Sequence, residues 1–262
     1  MRALSTAATG MMAMELNVQV IANNLANMTT TGFKRQRAEF QDLLYDHLSR
    51  VGTQSSSQGN MLPVGIDLGS GVKTVGTGRL MSQGTLTQTS NPLDVAIRGD
   101  GFFKVQLPDG TYTYTRDGSF KTDSQGRIVT AQGNVVQPAI TVPPNTSGLM
   151  INAQGQVSVT PAGTTTPTIL GQLTLTRFIN PAGLMPIGDN LYQETPASGT
   201  PQDGTPATDG AGDLQQGMLE QSNVDSVTEI TNLISAQRAY EMNSKVITAA
   251  DQMLQATSNL MR

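Results

Sequence analysis

The sequence contains no cysteine and no tryptophan, and it has a single histidine, His47. Without cysteine the chain can form neither a disulfide nor a thiolate centre. One histidine cannot supply a histidine metal cluster, nor a triad with a spare base. We therefore predict no catalytic residue, no metal and no cofactor, and we expect that the protein is not an enzyme.

Long apolar runs and strong charge are also absent. No window offers the ~18 consecutive apolar residues of a membrane-spanning helix, so we expect no direct membrane insertion. The net charge is -4, and the only basic cluster, Lys34, Arg35 and Arg37, is followed at once by Glu39. This favours a solvated, salt-bridged face over a phosphate groove, so we expect no nucleic-acid partner. On composition alone, without a convincing signal peptide, we expect a cytoplasmic protein.

Helix breakers are concentrated in the middle of the chain, and Gly10 is the only one that precedes Gly32. All 13 prolines lie between Pro63 and Pro206, and no glycine follows Gly217. The two ends therefore favour helix and the middle favours short strands and turns. The predicted division is terminal helices at residues 1–30 and 222–262, an extended hairpin or linker at 31–71, and a central β domain at 72–221 with an exposed loop near 196–213.

The N-terminal stretch repeats apolar residues in heptads, which is typical of coiled coils and bundles. The a positions are Leu4, Met11, Val18 and Leu25, and the d positions are Ala7, Met14, Ile21 and Met28. Asn24 and Asn27 add a polar edge beside this seam. They either fix the register between packed helices or face water, and the spacing alone does not decide between the two.

The C-terminal stretch opens with Ser226 and Glu229, which have the spacing of a capping box. Apolar residues then recur every seven positions, at Leu233, Tyr240, Ile247, Leu254 and Met261, flanked by Val246, Met253 and Leu260. A helix over 226–261 would be roughly 50 Å long, far beyond an ordinary globular helix. We predict an α+β fold: long N- and C-terminal helices forming a coiled-coil-like core, an extended hairpin and a central all-β domain.

The middle alternates strand-like runs with turn dipeptides, as in "FFKVQLPDGTYTYTRDGSFKTDSQGRIV". Asp109 and Asp117 precede glycines, and Asp123 lies close to another. These carboxylates could be paired for acid–base catalysis, but such positions favour a role in turns.

Three signatures, the central one in two segments, make the chain recognisable. "ANNLANMTTTGFKRQRAEFQDLL" resembles the N-terminal signature of the bacterial flagellar rod and hook family. "NPLDVAIRGDGFF" and "YTRDGSFKTDSQGRIVTAQG" resemble its central motif, and "EQSNVDSVTEITNLISAQRAYEMNSKVITAADQML" resembles its C-terminal signature. Within the family, the chain length and "KRQRAEFQDLL" favour the distal rod, with proximal rod and hook subunits as the alternatives.

The resemblance implies a structural subunit that assembles with itself into a straight, hollow helical shaft carrying torque from motor to hook. It implies contacts with proximal rod proteins, the hook protein, the P and L ring proteins and the flagellar type III export apparatus. The rod would lie in the periplasm, and export would need no cleaved signal peptide. This implication replaces the cytoplasmic expectation.

The segment "DHLSRVGTQSSSQGNMLPVGIDLGS", residues 46–70, follows the first helix where the family places a long hairpin. Its apolar half could contact a neighbouring subunit through Met61, Leu62, Val64, Ile66 and Leu68. Its composition alone favours a passive linker, whereas the resemblance favours the inter-subunit hairpin.

Two functions from other classes remain open. A secreted, β-rich fibre or adhesin could also oligomerise through its ends, but it would form a closed trimer and not a hollow tube. A carbohydrate-active enzyme would need a cleft with two carboxylates beside a carbohydrate-binding surface. Few aromatic side chains are available to form that surface, since the chain has no Trp, five Tyr and six Phe.

Overall fold

The computed structural model describes residues 2–49, 51–52, 64–163, 166–208 and 210–260. The chain divides into two compact units. Unit 1 contains residues 1–25, 36–78 and 226–262, and unit 2 contains residues 26–35 and 79–225. The chain therefore passes from unit 1 to unit 2 after residue 25 and back to unit 1 after residue 35. It crosses to unit 2 again after residue 78 and returns to unit 1 with the last helix.

Unit 1 holds both long helices and the first four strands, apart from the last residue of α1 and of β4. These elements are α1 (Arg2–Ala26), β1 (Gln36–Asp42), β2 (Tyr45–Ser49), β3 (Ile66–Gly69), β4 (Val72–Arg79) and α2 (Ser226–Leu260). Strand β1 pairs with β4, and β2 pairs antiparallel with β3. Neither helix combines the length and apolar character needed to cross a membrane, and the described residues contain no other candidate.

The predicted coiled-coil-like core is wrong. Over the described residues the fold is mostly β, with 20 strands against two α-helices. A Cβ built on Gly10 would lie 2.9 Å from Nδ2 of Asn243, and Asn24 Nδ2 donates to Glu229 Oε2 at 3.1 Å. Gly10, early in α1, meets Asn243, late in α2, while Asn24 meets Glu229 near the start of α2. The two helices are therefore antiparallel and make contact through small and polar residues.

The burial along α2 gives the physical reason for this correction. Its buried residues are Glu229, Ala236 and Ala250, which share a heptad spacing with Asn243. Small residues at a helix contact allow a close approach, so the larger apolar residues to either side do not form the seam. Tyr240 and Met253, which the heptad pattern favoured as packed, are exposed.

The contacts of Asn24 explain why an amide side chain lies near the C-terminal end of α1. Its side chain is only 1% exposed. Its Nδ2 donates to the Gln36 carbonyl at 2.8 Å, and its Oδ1 accepts from the Gln36 N–H at 2.9 Å. The amide thus bonds the main chain of β1 as a neighbouring strand would, which satisfies a buried donor and acceptor together.

Unit 2 contains the remaining strands and one short 3-10 helix, Pro181–Gly183. In chain order the strands are β5 (Leu86–Gln88), β6 (Val95–Arg98), β7 (Phe102–Gln106), β8 (Tyr112–Thr115), β9 (Lys121–Thr122), β10 (Ile128–Val129), β11 (Val135–Gln137), β12 (Thr146–Ile151), β13 (Gln156–Pro161), β14 (Thr168–Gln172), β15 (Leu175–Arg177), β16 (Met185–Gly188), β17 (Leu191–Gln193), β18 (Gln202–Gly204), β19 (Asp213–Gln216) and β20 (Met218–Glu220).

A nine-stranded sheet forms the centre of unit 2. Its main order is β16-β17-β8-β7-β11-β10-β9, and β15 joins β7 to β18. Strands β12, β13 and β14 form a second sheet, while β19 pairs with β6 and β20 pairs with β5. The main core contains Val95, Ile97, Phe103, Phe120, Ile128, Val136, Ile140, Ile151, Val157, Leu173, Leu175 and Leu214.

The aspartates of the turn dipeptides serve the turns, as predicted. Asp109 Oδ1 accepts from the Thr111 N–H at 2.9 Å, and Asp117 Oδ1 accepts from the Ser119 N–H at 3.0 Å. Asp123 Oδ1 accepts from the Gln125 N–H at 2.8 Å. Bonds of this kind fix Asx turns. Asp109 lies in the β7–β8 hairpin and Asp123 in the β9–β10 hairpin, whereas Asp117 lies in the turn from β8 to β9, which do not pair with each other.

Replacing Asn24 tests its bond to strand β1. We expect Asn24→Ala to lower the free energy of unfolding of unit 1 by about 1–3 kcal/mol, because it removes the amide that bonds the main-chain N–H and C=O of half-buried Gln36. Urea unfolding followed by helical circular dichroism measures the change. The control Gln19→Ala, at an exposed site of α1, should stay within about 0.5 kcal/mol of wild type. Equal stability of the two variants would contradict the assignment.

Candidate assembly surfaces

The predicted assembly residues of the N-terminal helix differ in burial. Ile21 and Asn24 are buried within unit 1. The half-buried members on α1 are Leu4, Met11, Met14, Val18 and Leu25. Asn27 and Met28 follow the end of α1 in a turn, where Met28 is exposed. The helix therefore keeps partly accessible apolar side chains along most of its length.

The C-terminal helix is more exposed. Leu233 and Ile247 are half-buried, while Tyr240, Val246, Met253 and Leu254 are exposed. Leu260 ends the helix, and Met261 lies outside the described residues. Every side chain described from position 251 to position 259 is exposed. This part of α2 holds an apolar pair, Met253 and Leu254, that its own chain does not cover.

The β2–β3 pair is an exposed hairpin. Its apolar residues Val64, Ile66 and Leu68 are 74%, 57% and 43% exposed, and Met61 and Leu62 lie outside the described residues. His47 Nδ1 and Asp67 Oδ1 lie 2.6 Å apart across the pair. A two-stranded hairpin is marginal by itself in water, so this one needs support from other parts of the structure.

Part of that support comes from α1. Arg2 Nη2 lies 2.7 Å from Asp46 Oδ2, and the Val72 N–H donates to Thr9 Oγ1 at 3.4 Å. Between the hairpin and the helices of unit 1 runs an open groove of about 610 Å³, whose lining includes Thr6, Leu68 and Val246. The hairpin is thus tethered to α1, while a partly apolar groove beside it stays open.

A buried ion cluster in unit 2 brings together Lys34, Arg116 and Glu220. Lys34 Nζ lies 2.6 Å from Glu220 Oε1, and Arg116 Nη1 lies 3.3 Å from Glu220 Oε2. The three side chains are 1%, 4% and 0% exposed. Lys34 also donates to the Ser82 carbonyl at 2.9 Å, and Glu220 accepts from the Gly84 N–H at 2.9 Å.

Burial dominates the electrostatics of this cluster. Loss of solvent lowers the pKa of Lys34 and that of Arg116, and the Glu220 charge opposes both shifts. Arg116 gains two further contacts, since Nη2 donates to the Gly99 carbonyl at 2.8 Å and its guanidinium lies 5.3 Å from the Phe102 ring centre. Such charges are tolerated in an interior because they are paired and hydrogen-bonded.

Sequence reasoning missed this cluster. The expectation of a solvated basic face is wrong for Lys34, although Arg37 does pair with Glu39 at the surface, at 3.2 Å. A charge run read locally cannot show a partner 186 positions away. One signal was present: Lys34, Arg116 and Glu220 lie in the quoted segments of the N-terminal, central and C-terminal signatures, respectively.

No metal centre appears among the described residues, since they contain no group of three or more His, Cys, Asp or Glu side chains placed to hold an ion.

Known protein families match three parts of the chain. The family described as "Flagella basal body rod protein" matches residues 4–34, and "Flagellar hook protein FlgE/F/G D1 domain" matches residues 96–159. "Flagellar basal body rod FlgEFG protein C-terminal" matches residues 215–260. The matches fall on both helices and on the β unit, in the same order as the three signatures.

Curated proteins match over nearly the whole length. The flagellar basal-body rod protein FlgG of Caulobacter vibrioides is 55% identical over 260 residues, covering 99% of each chain. The protein of the same name from Buchnera aphidicola subsp. Schizaphis graminum is 52% identical over 252 residues, covering 96% of each chain.

A related rod protein is more distant. The flagellar basal-body rod protein FlgF of Caulobacter vibrioides is 37% identical, covering 90% of this chain and 88% of that protein. In one organism, therefore, the chain is closer to the FlgG protein than to the FlgF protein.

Neutralising Glu220 tests the ion cluster. We expect Glu220→Gln to lower the free energy of unfolding of unit 2 by about 3–5 kcal/mol, because two buried cations lose their counter-charge. Urea unfolding followed by tyrosine fluorescence measures the loss, since Tyr114 and Tyr192 are buried in unit 2. The matched control Asp189→Asn, which also neutralises one carboxylate at an exposed position of the same unit, should change stability by less than about 0.5 kcal/mol. A Glu220→Gln protein as stable as this control would refute the role of the cluster.

Proposed function

This chain belongs to the flagellar basal-body rod protein family, and from that premise we propose that its copies assemble into a straight, hollow helical shaft that transmits torque from motor to hook. The subunit is structural and is not an enzyme. Within the family it is a subunit of the distal rod, since the relatives named FlgG match it over its full length at 52–55% identity.

The distribution of exposed apolar side chains carries the proposal of self-assembly. Most of the large apolar residues exposed in the described chain lie in unit 1, on α2, on the hairpin and beside it. Ile234, Tyr240, Met253 and Leu254 lie on α2, and Val64 and Ile66 lie on the hairpin. Apolar surface concentrated in this way marks a protein–protein contact. In a homopolymer, this surface would be covered by a second copy of the chain.

The hairpin has a separate part in this proposal. It presents Val64, Ile66 and Leu68 to the outside, and its residues Met61 and Leu62 belong to the same predicted surface. We assign it to contacts between neighbouring copies along the shaft. Contacts outside the helices would prevent copies from sliding past one another, which makes the polymer stiff.

The same premise supports the further partners and the location. They are the proximal rod proteins and the hook protein at the two ends, the P and L ring proteins around the shaft, and the flagellar type III export apparatus as the route of delivery. The rod would stand in the periplasm, and export would use no cleaved signal peptide. Pull-down with each purified partner, and cell fractionation of exported protein, test these assignments one at a time.

Leu254→Asp tests whether the exposed end of α2 is an assembly surface. We expect the variant to remain a folded monomer and to raise the concentration needed for polymerisation about tenfold or more, because burial of a leucine is worth about 1.5–3 kcal/mol. Sedimentation and electron microscopy measure the polymer. The control Gln255→Asp adds the same charge at the adjacent exposed position and should polymerise nearly as wild type does. Normal polymerisation of Leu254→Asp would remove α2 from the interface.

Deleting residues 46–63 tests the hairpin. The helices remain, so polymers should still form, but they should be curved or flexible because contacts along the shaft are lost. Persistence length measured in electron micrographs reports the change. Straight polymers of wild-type stiffness would rule out a stiffening role.

A further inference from the structure

Three stretches of unit 2 lie directly at the points where the chain passes between the units. The chain leaves unit 2 after Arg35, re-enters it at Arg79 and leaves it again after Asp225. We call residues 26–35, 79–85 and 217–225 the crossing segments. Any force applied to the helices along the chain reaches unit 2 through these segments.

Asn223 connects all three crossing segments. Its Oδ1 accepts from the Arg35 N–H at 2.7 Å, and its Nδ2 donates to the Leu80 carbonyl at 2.9 Å and to the Ser82 carbonyl at 3.0 Å. The Leu80 N–H in turn donates to the Arg35 carbonyl at 2.9 Å. One amide side chain from the third segment thus hydrogen-bonds the main chain of both other crossing segments.

Main-chain bonds and a close approach add to this link. The Gly32 N–H donates to the Glu220 carbonyl at 2.8 Å, and the Gln221 N–H donates to the Thr85 carbonyl at 2.9 Å. A Cβ added to Gly84 would lie only 1.9 Å from the Gln221 carbonyl oxygen, so only glycine allows the second and third segments to approach so closely.

The ion cluster joins the same three segments and anchors them in the β unit. Lys34 belongs to the first, Ser82 and Gly84 to the second and Glu220 to the third, and Arg116 lies directly after β8 in the central sheet. In a water-poor interior opposite charges attract more strongly than at the surface. Pulling Lys34 away from Glu220 would also leave a buried charge without its partner.

We propose that Lys34, Arg116, Glu220 and Asn223 form a clamp that holds the crossing segments to unit 2 under mechanical load. This inference rests on the proposed rod function for the source of the load. The clamp transfers force between the helix-bearing ends of the chain and the β unit, and it keeps the crossing segments from being drawn out of that unit.

A cluster that contributed only to thermodynamic stability would be distinguished from a mechanical clamp by the rupture force of an apolar variant. Replacing a whole buried ion cluster by apolar residues is often neutral or stabilising at equilibrium. Lys34→Met/Arg116→Met/Glu220→Leu is therefore the informative variant. If the cluster only stabilised the fold, an apolar replacement of equal stability would resist force as well as wild type does. A clamp loses its resistance even where the melting temperature is kept.

Single-molecule pulling on the full-length chain separates the two possibilities. Because the sequence has no cysteine, Ala26→Cys and Val227→Cys provide unique attachment points, both at exposed positions. Tension between these points acts on the first and third crossing segments. We expect the highest-force rupture event of the wild type to be lost in the triple apolar variant, and Asn223→Ala to show the same loss. Melting temperature is measured in parallel for every variant.

The control is Arg98→Met/Asp213→Leu, which removes an ion pair of unit 2 outside the crossing segments, with Arg98 Nη2 and Asp213 Oδ2 at 2.8 Å. It should keep the highest-force event. An unchanged rupture force in the triple variant, or an equal fall in the control, would overturn the clamp. If the triple variant does not fold, Asn223→Ala decides the question by the same criterion. The measurement uses monomers, so failure of rod assembly would leave its outcome unaffected.

Discussion

The paired charges at the buried carboxylate of Glu220 are the interaction on which the arrangement of the crossing segments in unit 2 depends. Glu220 lies at the end of the last strand, two cations converge on it, and each cation comes from a distant part of the sequence. A charge so far from water is stable only while its partners are present. The fold therefore has to bring residue 34 and residue 116 to the segment that leads into the final helix.

The two units use polar groups in related ways. In unit 1 the Asn24 amide bonds the main chain of Gln36, and in unit 2 the Asn223 amide bonds the main chain of Arg35 and Leu80. Each amide bonds main-chain groups at a point where the chain passes between the units. Polar side chains thus specify where the chain passes between units, and apolar side chains on α2 and the hairpin remain for contacts with other copies.

Local patterns in the sequence predict the local structure well. The scarcity of breakers at the ends indicates the two helices, Ser226 marks the observed start of α2, and the Asp-Gly dipeptides mark turns of the β unit. The helix contact was not predictable in the same way. A heptad pattern ranks positions by hydrophobicity, whereas the contact at Gly10 and Asn243 is selected by how closely two backbones can approach. Burial of Lys34 depends on partners that no local window contains.

The ion cluster also sets a requirement on folding. Its bonds span 186 and 104 positions of sequence, so the entropy cost of closing long loops has to be met before they can contribute to stability. Wherever the chain is supplied from one end, residue 34 and residue 220 cannot meet until nearly all of it has emerged. A chain truncated before residue 220 therefore leaves Lys34 without its counter-charge, and the first crossing segment loses its ion pair to unit 2. Only a nearly full-length chain can complete the ion cluster.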